Sequence, residues 1–172
     1  HWQKERVKVG LDFNYSCMEG RRSSGQRSRE GDEFEQKIVE LSRVTRVTKG
    51  GKQMRFRACV AVGNRKGTIG AGVAKGQDVA QAIAKATTQA KKHMVILKFP
   101  SGTIPFPVWH KYGAARIIMR AAPRGTGIKA GGPMRSVLEL AGVPNVVGKM
   151  MGSKNKINNV RATLEALEKF VV

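Results

Sequence analysis

Acidic side chains are almost missing from the middle of this chain: between residues 41 and 164 stand only Asp78 and Glu139. A soluble surface ordinarily mixes signs, so a stretch this long and one-signed requires a large polyanion to neutralise it from outside. The same scarcity removes the paired carboxylates of acid–base catalysis and the magnesium-holding acids of nucleotide hydrolysis. Cysteine is nearly absent as well. Cys17 and Cys59 fit neither a disulfide framework nor zinc-ligand spacing, which agrees with a reducing compartment. The three histidines, His1, His93 and His110, are far apart, and no serine stands in a nucleophile motif. No catalytic residue, cofactor or metal is therefore expected, and the chain is read as no enzyme. No apolar run approaches the roughly 18 residues that cross a bilayer, and no secretory leader is visible, so no membrane partner is expected. Aromatics make up 6% of the chain, too few for base stacking to be the main mode of recognition.

What remains is cationic and patterned. Lys and Arg number 32 against 12 Asp and Glu in 172 residues, giving a formal net charge of +20. That balance favours phosphate-rich partners and makes affinity fall steeply with salt. The length suits one domain or two small ones. Residues 1–33 combine Gly, Ser and scattered charge, including Arg21, Arg22, Arg27 and Arg29, and read as a flexible basic N-terminal extension.

Order is expected from Phe34. Residues 38–47 are rich in β-branched side chains. Residues 54–62 alternate, so that Met54, Phe56, Ala58, Val60 and Val62 share one strand face while Arg55 and Arg57 take the other. Lys49, Gly50, Gly51 and Lys52 between the two runs mark a tight hairpin with a basic tip. A third strand at 68–74 completes an antiparallel meander. Asp78 then caps a helix, with Gln81 completing a capping-box-like pair. Val79, Ala82, Ile83, Ala86 and Ala90 form its apolar stripe, and Lys85 and Lys92 lie on the outer side.

Pro100, Pro105 and Pro107 punctuate a junction between two units. A strand is expected at 115–122. Pro133 then opens a helix carrying Met134, Val137, Leu138 and Ala141, which Gly142 and Pro144 end. Glu139 stands four residues after Arg135, within pairing reach on one helix face. Another strand follows at 146–151. Ile157, Val160, Leu164, Leu167 and Val171 give the last helix a core-facing side.

Two local features invite a functional reading. The hairpin carries Arg43 and Arg46 on its first strand, Lys49 and Lys52 at its tip, and Arg55 and Arg57 on its return. A two-stranded ribbon of this kind can lie along a groove and bring cations to successive phosphates. Gly125, Gly127, Gly131 and Gly132 precede a helix. Such amides either cradle an anion or simply permit a tight turn and close backbone contact. Gly131 falls one residue too late for G-x-G-x-x-G, and no G-x-x-x-x-G-K-[ST] occurs. On residues alone, three classes stand: a structural RNA-binding protein, a free-standing double-stranded-RNA-binding protein or RNA chaperone, and a nucleotide-using enzyme.

Longer stretches narrow the choice. They include Arg43-Val44-Thr45, Val47-Thr48-Lys49-Gly50-Gly51 and Val60-Ala61-Val62-Gly63, then Gly125-Thr126-Gly127-Ile128 and Ala130-Gly131-Gly132-Pro133-Met134-Arg135. Val137-Leu138-Glu139, Ala141-Gly142-Val143 and Asn158-Asn159-Val160-Arg161-Ala162-Thr163 continue the series. In this order they closely resemble the small-subunit ribosomal protein five family of bacteria and organelles. The resemblance implies an α+β protein of two small domains. Residues 34–96 would be a double-stranded-RNA-binding-like three-stranded sheet with a helix, and residues 97–172 an α/β domain with a mixed sheet and two helices.

It further implies a structural constituent of the small ribosomal subunit, bound to ribosomal RNA, with its hairpin on the side where messenger RNA enters and with a part in decoding fidelity. Arg43, Arg46, Lys49 and Lys52 would contact RNA, and Gly50 and Gly51 would shape the loop. The expected RNA-binding set extends to Arg55, Arg57, Arg65, Lys66, Lys85, Lys92, Arg120, Arg124, Lys129, Lys154 and Lys156. Gly125, Gly127, Gly131, Gly132 and Arg135 would lie near the contact with ribosomal protein four, and the second domain would also meet ribosomal protein eight. A first residue His1 and an end soon after the last helix favour an organelle, chloroplast or mitochondrion, over bacterial cytoplasm.

Overall fold

The computed structural model describes residues 34–97 and 102–170. The expected basic extension, Pro100 and Val171 lie outside those residues.

The first sheet has the order β1-β2-β3-β4, with β1 Glu35–Thr48, β2 Gly51–Gly63, β3 Thr68–Gly76 and β4 Met94–Ile96, each neighbour antiparallel. The expected meander is present, and β4 adds a short edge strand. α1 spans Val79–Lys92. Asp78 does occupy its N-cap position, but its side chain makes no capping hydrogen bond; the Ala82 amide bonds the Asp78 carbonyl instead. The capping box is thus a correction: the backbone begins this helix without help from the carboxylate.

α1 sits unusually close to the sheet. Ala82, Ala86 and Ala90 face Ala58, Val60 and Val62 in one buried cluster. On β3, Gly70 and Gly72 leave room for the helix backbone, since a Cβ there would meet the Ala90 and Ala86 carbonyl oxygens. Small residues on both partners bring the two backbones together.

The second sheet has the order β5-β6-β8-β7, formed by β5 Val108–Tyr112, β6 Ala115–Ala121, β7 Ile128–Lys129 and β8 Val146–Met151. β7 pairs β8 in parallel and the other pairs are antiparallel, so the sheet is mixed as expected. α2 Gly132–Ala141 and α3 Lys156–Glu168 cover its inner face. α2 ends on Gly142 in the left-handed conformation, as the sequence suggested. Asn155 caps α3 by accepting from the Ile157 amide at 3.1 Å.

Burial along β2 explains how the halves join. Ala58, Val60 and Val62 face α1, while Cys59 and Ala61 turn the other way into a larger cluster with Ile69, Leu138, Leu140, Val160 and Leu167. The first sheet is therefore covered on both sides at its base. The layers run α1, first sheet, α2 with α3, second sheet. This leaves the far face of the second sheet as an outermost layer.

Candidate nucleic-acid interface

β3 pairs with β2 only from Phe56 onward, where Phe56 meets Gly76. Beyond that pair, β1 and β2 continue as a free two-stranded ribbon to Thr48 opposite Gly51. Five residues of β1 lie in it, about 16 Å at strand rise. The ribbon's turn is closed by the Thr48 hydroxyl, which donates to the Gly51 carbonyl at 3.0 Å.

The register sorts the cations by face. Val44 stands opposite Arg55, Arg46 opposite Gln53 and Ser42 opposite Arg57, while Lys75 of β3 stands opposite Arg57. One ribbon face therefore carries Arg46, Arg55, Arg57 and Lys75. Arg46, Arg55 and Lys75 border a depression of about 250 Å³ there. The other face carries Arg43 and Lys52 with the exposed Val47 and Met54. Lys49 is at the tip. None of the six expected hairpin cations forms an ion pair among the described residues. Arg57 differs from the rest: it is half-buried at the ribbon's root, with Nε unpartnered.

The remaining expected residues divide by geometry. Lys85 and Lys92 border a shallow depression on the outer face of α1. Lys66, Arg124, Lys154 and Lys156 are exposed on turns and at the start of α3. Arg65 is committed elsewhere. Its guanidinium holds Glu35 at 2.8 Å and its amide donates to the Leu140 carbonyl at 2.9 Å, so it sits at the join between the two halves.

Glycine-loop amides are turned inward. Gly125 and Gly127 donate to the Asn145 Oδ1 at 3.1 and 3.2 Å, so the tight-turn alternative describes them and the anion cradle does not. Asn145 is buried, and its carbonyl accepts from the Thr103 hydroxyl at 2.8 Å. Gly131 lies against Met150, whereas Gly132 faces open space. Arg135 pairs Glu139 at 2.7 Å as expected, and Glu139 also receives Lys37 from β1 at 2.7 Å. Those two hydrogen bonds hold the Glu139 carboxyl below its usual pKa.

Arg120 and Lys129 belong to a surface that sequence reading did not assemble. On the outer face of the second sheet, Lys111 stands opposite Arg116, which stands opposite Met151. Trp109, Ile118 and Lys149 make the next row, and Arg120, Val147 and Lys129 the third. The period-two alternation of Trp109 and Lys111 against Val108, His110 and Tyr112 was the available signal, obscured by the neighbouring prolines.

Among the described residues no group of three His, Cys, Asp or Glu side chains could hold a metal, and no helix is long and apolar enough to cross a membrane. Cations without ion-pair partners on a projecting ribbon and on an outermost sheet define the class: an α+β protein with strongly cationic surfaces. The matching families make this specific. Residues 34–98 match ribosomal protein S5, N-terminal domain, and residues 110–171 match ribosomal protein S5, C-terminal domain. The small ribosomal subunit protein uS5 of Thermosynechococcus vestitus is 45% identical over 151 residues, covering 87% of each chain. The uS5c protein of Cyanophora paradoxa is 46% identical over 138 residues, 80% of this chain and 82% of its own. That of Spinacia oleracea is 45% identical over 150 residues, 87% of this chain but 48% of its own. The chain belongs to the ribosomal protein S5 family, whose members are structural, non-enzymatic components of the small ribosomal subunit.

Proposed function

We propose that this protein is built into the small ribosomal subunit, where its basic ribbon holds RNA on the side where messenger RNA enters and contributes to decoding fidelity. The observation that carries this reading is the ribbon itself: Arg46, Lys49, Lys52 and Arg55 project beyond the three-stranded part of the sheet, Arg43 stands at its edge, and none of the five has an ion-pair partner among the described residues. Cations in that array release counterions from phosphates, and the ribbon's width sets their register. Ribosomal RNA is the main ligand. Single-stranded message is held at the ribbon, where re-formed duplex is resisted. Lys66, Lys85, Lys92, Arg124, Lys154 and Lys156 supply further phosphate contacts from their exposed positions.

The segment 125–135 would face ribosomal protein four, with Gly132 open and Gly125 clear of neighbours, and ribosomal protein eight would meet the second half. An organellar home is part of this reading, and uS5c relatives match the chain at about the same identity as the cyanobacterial ones. Comigration of the chain with small subunits in a sucrose gradient at stringent salt tests the placement, and cell fractionation tests the compartment. Confinement to the light fractions would replace this reading with a free-standing RNA-binding protein. Arg43→Ala with Arg46→Ala and Lys49→Ala tests the ribbon: unwinding of structured messages should fall while assembly persists.

A further inference from the structure

The outer face of the second sheet carries five cations, Lys111, Arg116, Arg120, Lys129 and Lys149, and no acidic residue. Trp109 stands among them with 65% of its surface exposed, beside the half-buried Ile118 and the exposed Val147 and Met151. The three rows established by strand register each hold at least one cation and one apolar side chain. A depression of about 280 Å³ opens next to Trp109, bordered by Lys111, Arg116, Ile118 and Met151. No layer of the described protein covers this face, because α2 and α3 lie on the other side of the sheet.

From this arrangement we infer that the face is a second RNA-binding surface, separate from the ribbon, on which an unpaired base stacks against Trp109 while flanking phosphates meet Arg116, Lys149 and Arg120. Charge and composition choose the occupant. A protein partner's buried interface centre is depleted of charge, Lys above all, and here cations are interleaved with every apolar residue. An indole face accepts any base, and cations spaced along strands follow a single-stranded backbone. A duplex keeps its bases stacked on one another, so it cannot use Trp109. The inference takes its ligand class from the RNA-binding reading above but not its site.

The experiment uses the full chain with Trp2→Phe, so that emission reports Trp109 alone. It is titrated with a dye-labelled single-stranded oligoadenylate at low salt. Bound RNA, seen by dye anisotropy, should quench Trp109 emission. Trp109→Ala should weaken oligoadenylate binding about fivefold or more with far-UV circular dichroism unchanged, and Trp109→Phe should restore most of it. Arg46→Gln with Arg55→Gln should lower total affinity yet leave the quench at saturation intact. Lys149→Gln with Arg116→Gln, which spares the indole, should weaken binding and reduce the quench at a given RNA concentration. RNA bound with Trp109 emission unchanged would overturn this inference while leaving the ribbon reading standing. Equal quenching by polyglutamate would also overturn it, in favour of an acidic protein partner. No anisotropy change at all would remove both readings.

Discussion

Gly142 has no room for a side chain, because a Cβ there would collide with the carbonyl oxygen of Arg65. The contact joins the C-cap of α2 to the turn between β2 and β3, and so joins the two halves of the molecule. Gly142 also holds φ at +78°, which L side chains rarely adopt. Gly142→Ala should therefore destabilise the protein by about 2 kcal/mol or more, the sum of backbone strain and a displaced turn. Gly132→Ala, at a helical position with open space, should be neutral or slightly stabilising. Urea unfolding of the two variants gives the comparison.

Asn145 acts as the hub of the glycine loop. Removing its side chain leaves the Gly125 and Gly127 amides without their acceptor, a loss of about 1 kcal/mol because water can reach the exposed Gly125 and the partly buried Gly127. Asn145→Ala should lower stability by that order. It should also speed hydrogen exchange at Gly125 and Gly127 more than at the amides of β6. Equal acceleration everywhere would point to global loosening instead.

Much of this architecture was legible because local patterns agreed with tertiary packing. Alternation in β2, Gly142 after α2 and the Arg135–Glu139 spacing each predicted what is found. Other features depend on distant partners. Arg55 and Arg57 mark one side of β2 as polar, yet farther along that side α2 and α3 bury Cys59 and Ala61. Asp78 carries a capping sequence but the carboxylate goes unused. Glu139 was assigned one partner and has two, since nothing in the spacing brings Lys37 across 102 residues. The ribbon was visible as a charge pattern; that it projects beyond β3 follows only from strand register.

Glu139 offers a pH test. Hydrogen bonds from Lys37 and Arg135 lower its pKa from the ordinary 4.5, so the folded state binds this proton less readily than the unfolded chain. Its stabilising contribution is then complete above about pH 4.5 and is lost as pH falls through the lowered folded value. The stability gap between wild type and Glu139→Gln should be constant near neutrality and close on acidification. Its size should stay within about 1 kcal/mol, since both pairs are partly exposed.

Burial pushes the Cys59 thiol up to about 11, with Glu40 adding to the effect. The thiolate is the reactive form, so Cys59 should resist alkylation in the folded protein at pH 8. A Cys17→Ser chain makes the measurement specific. Iodoacetamide should modify it slowly when native and rapidly in urea, with native labelling tracking unfolding. Fast native labelling would mean that the seam between the first sheet and α3 opens readily.

Salt dependence separates the ribbon's cations from solvated ones. Each phosphate contact to a single strand contributes about 0.7 to the slope of log affinity against log salt. Replacing Arg43, Arg46 and Lys49 with Gln should therefore reduce that slope by about 2 if all three meet phosphate. Stability should change little, because none of the three has an ion-pair partner among the described residues. Lys85→Gln with Lys92→Gln provides the counterpart on α1, whose outer face carries the proposed second set of contacts. A slope that falls for the ribbon variant alone would assign the RNA to the ribbon and leave the α1 lysines facing solvent. Falls in both would mean that one RNA path spans the first sheet from its projecting edge to its helix.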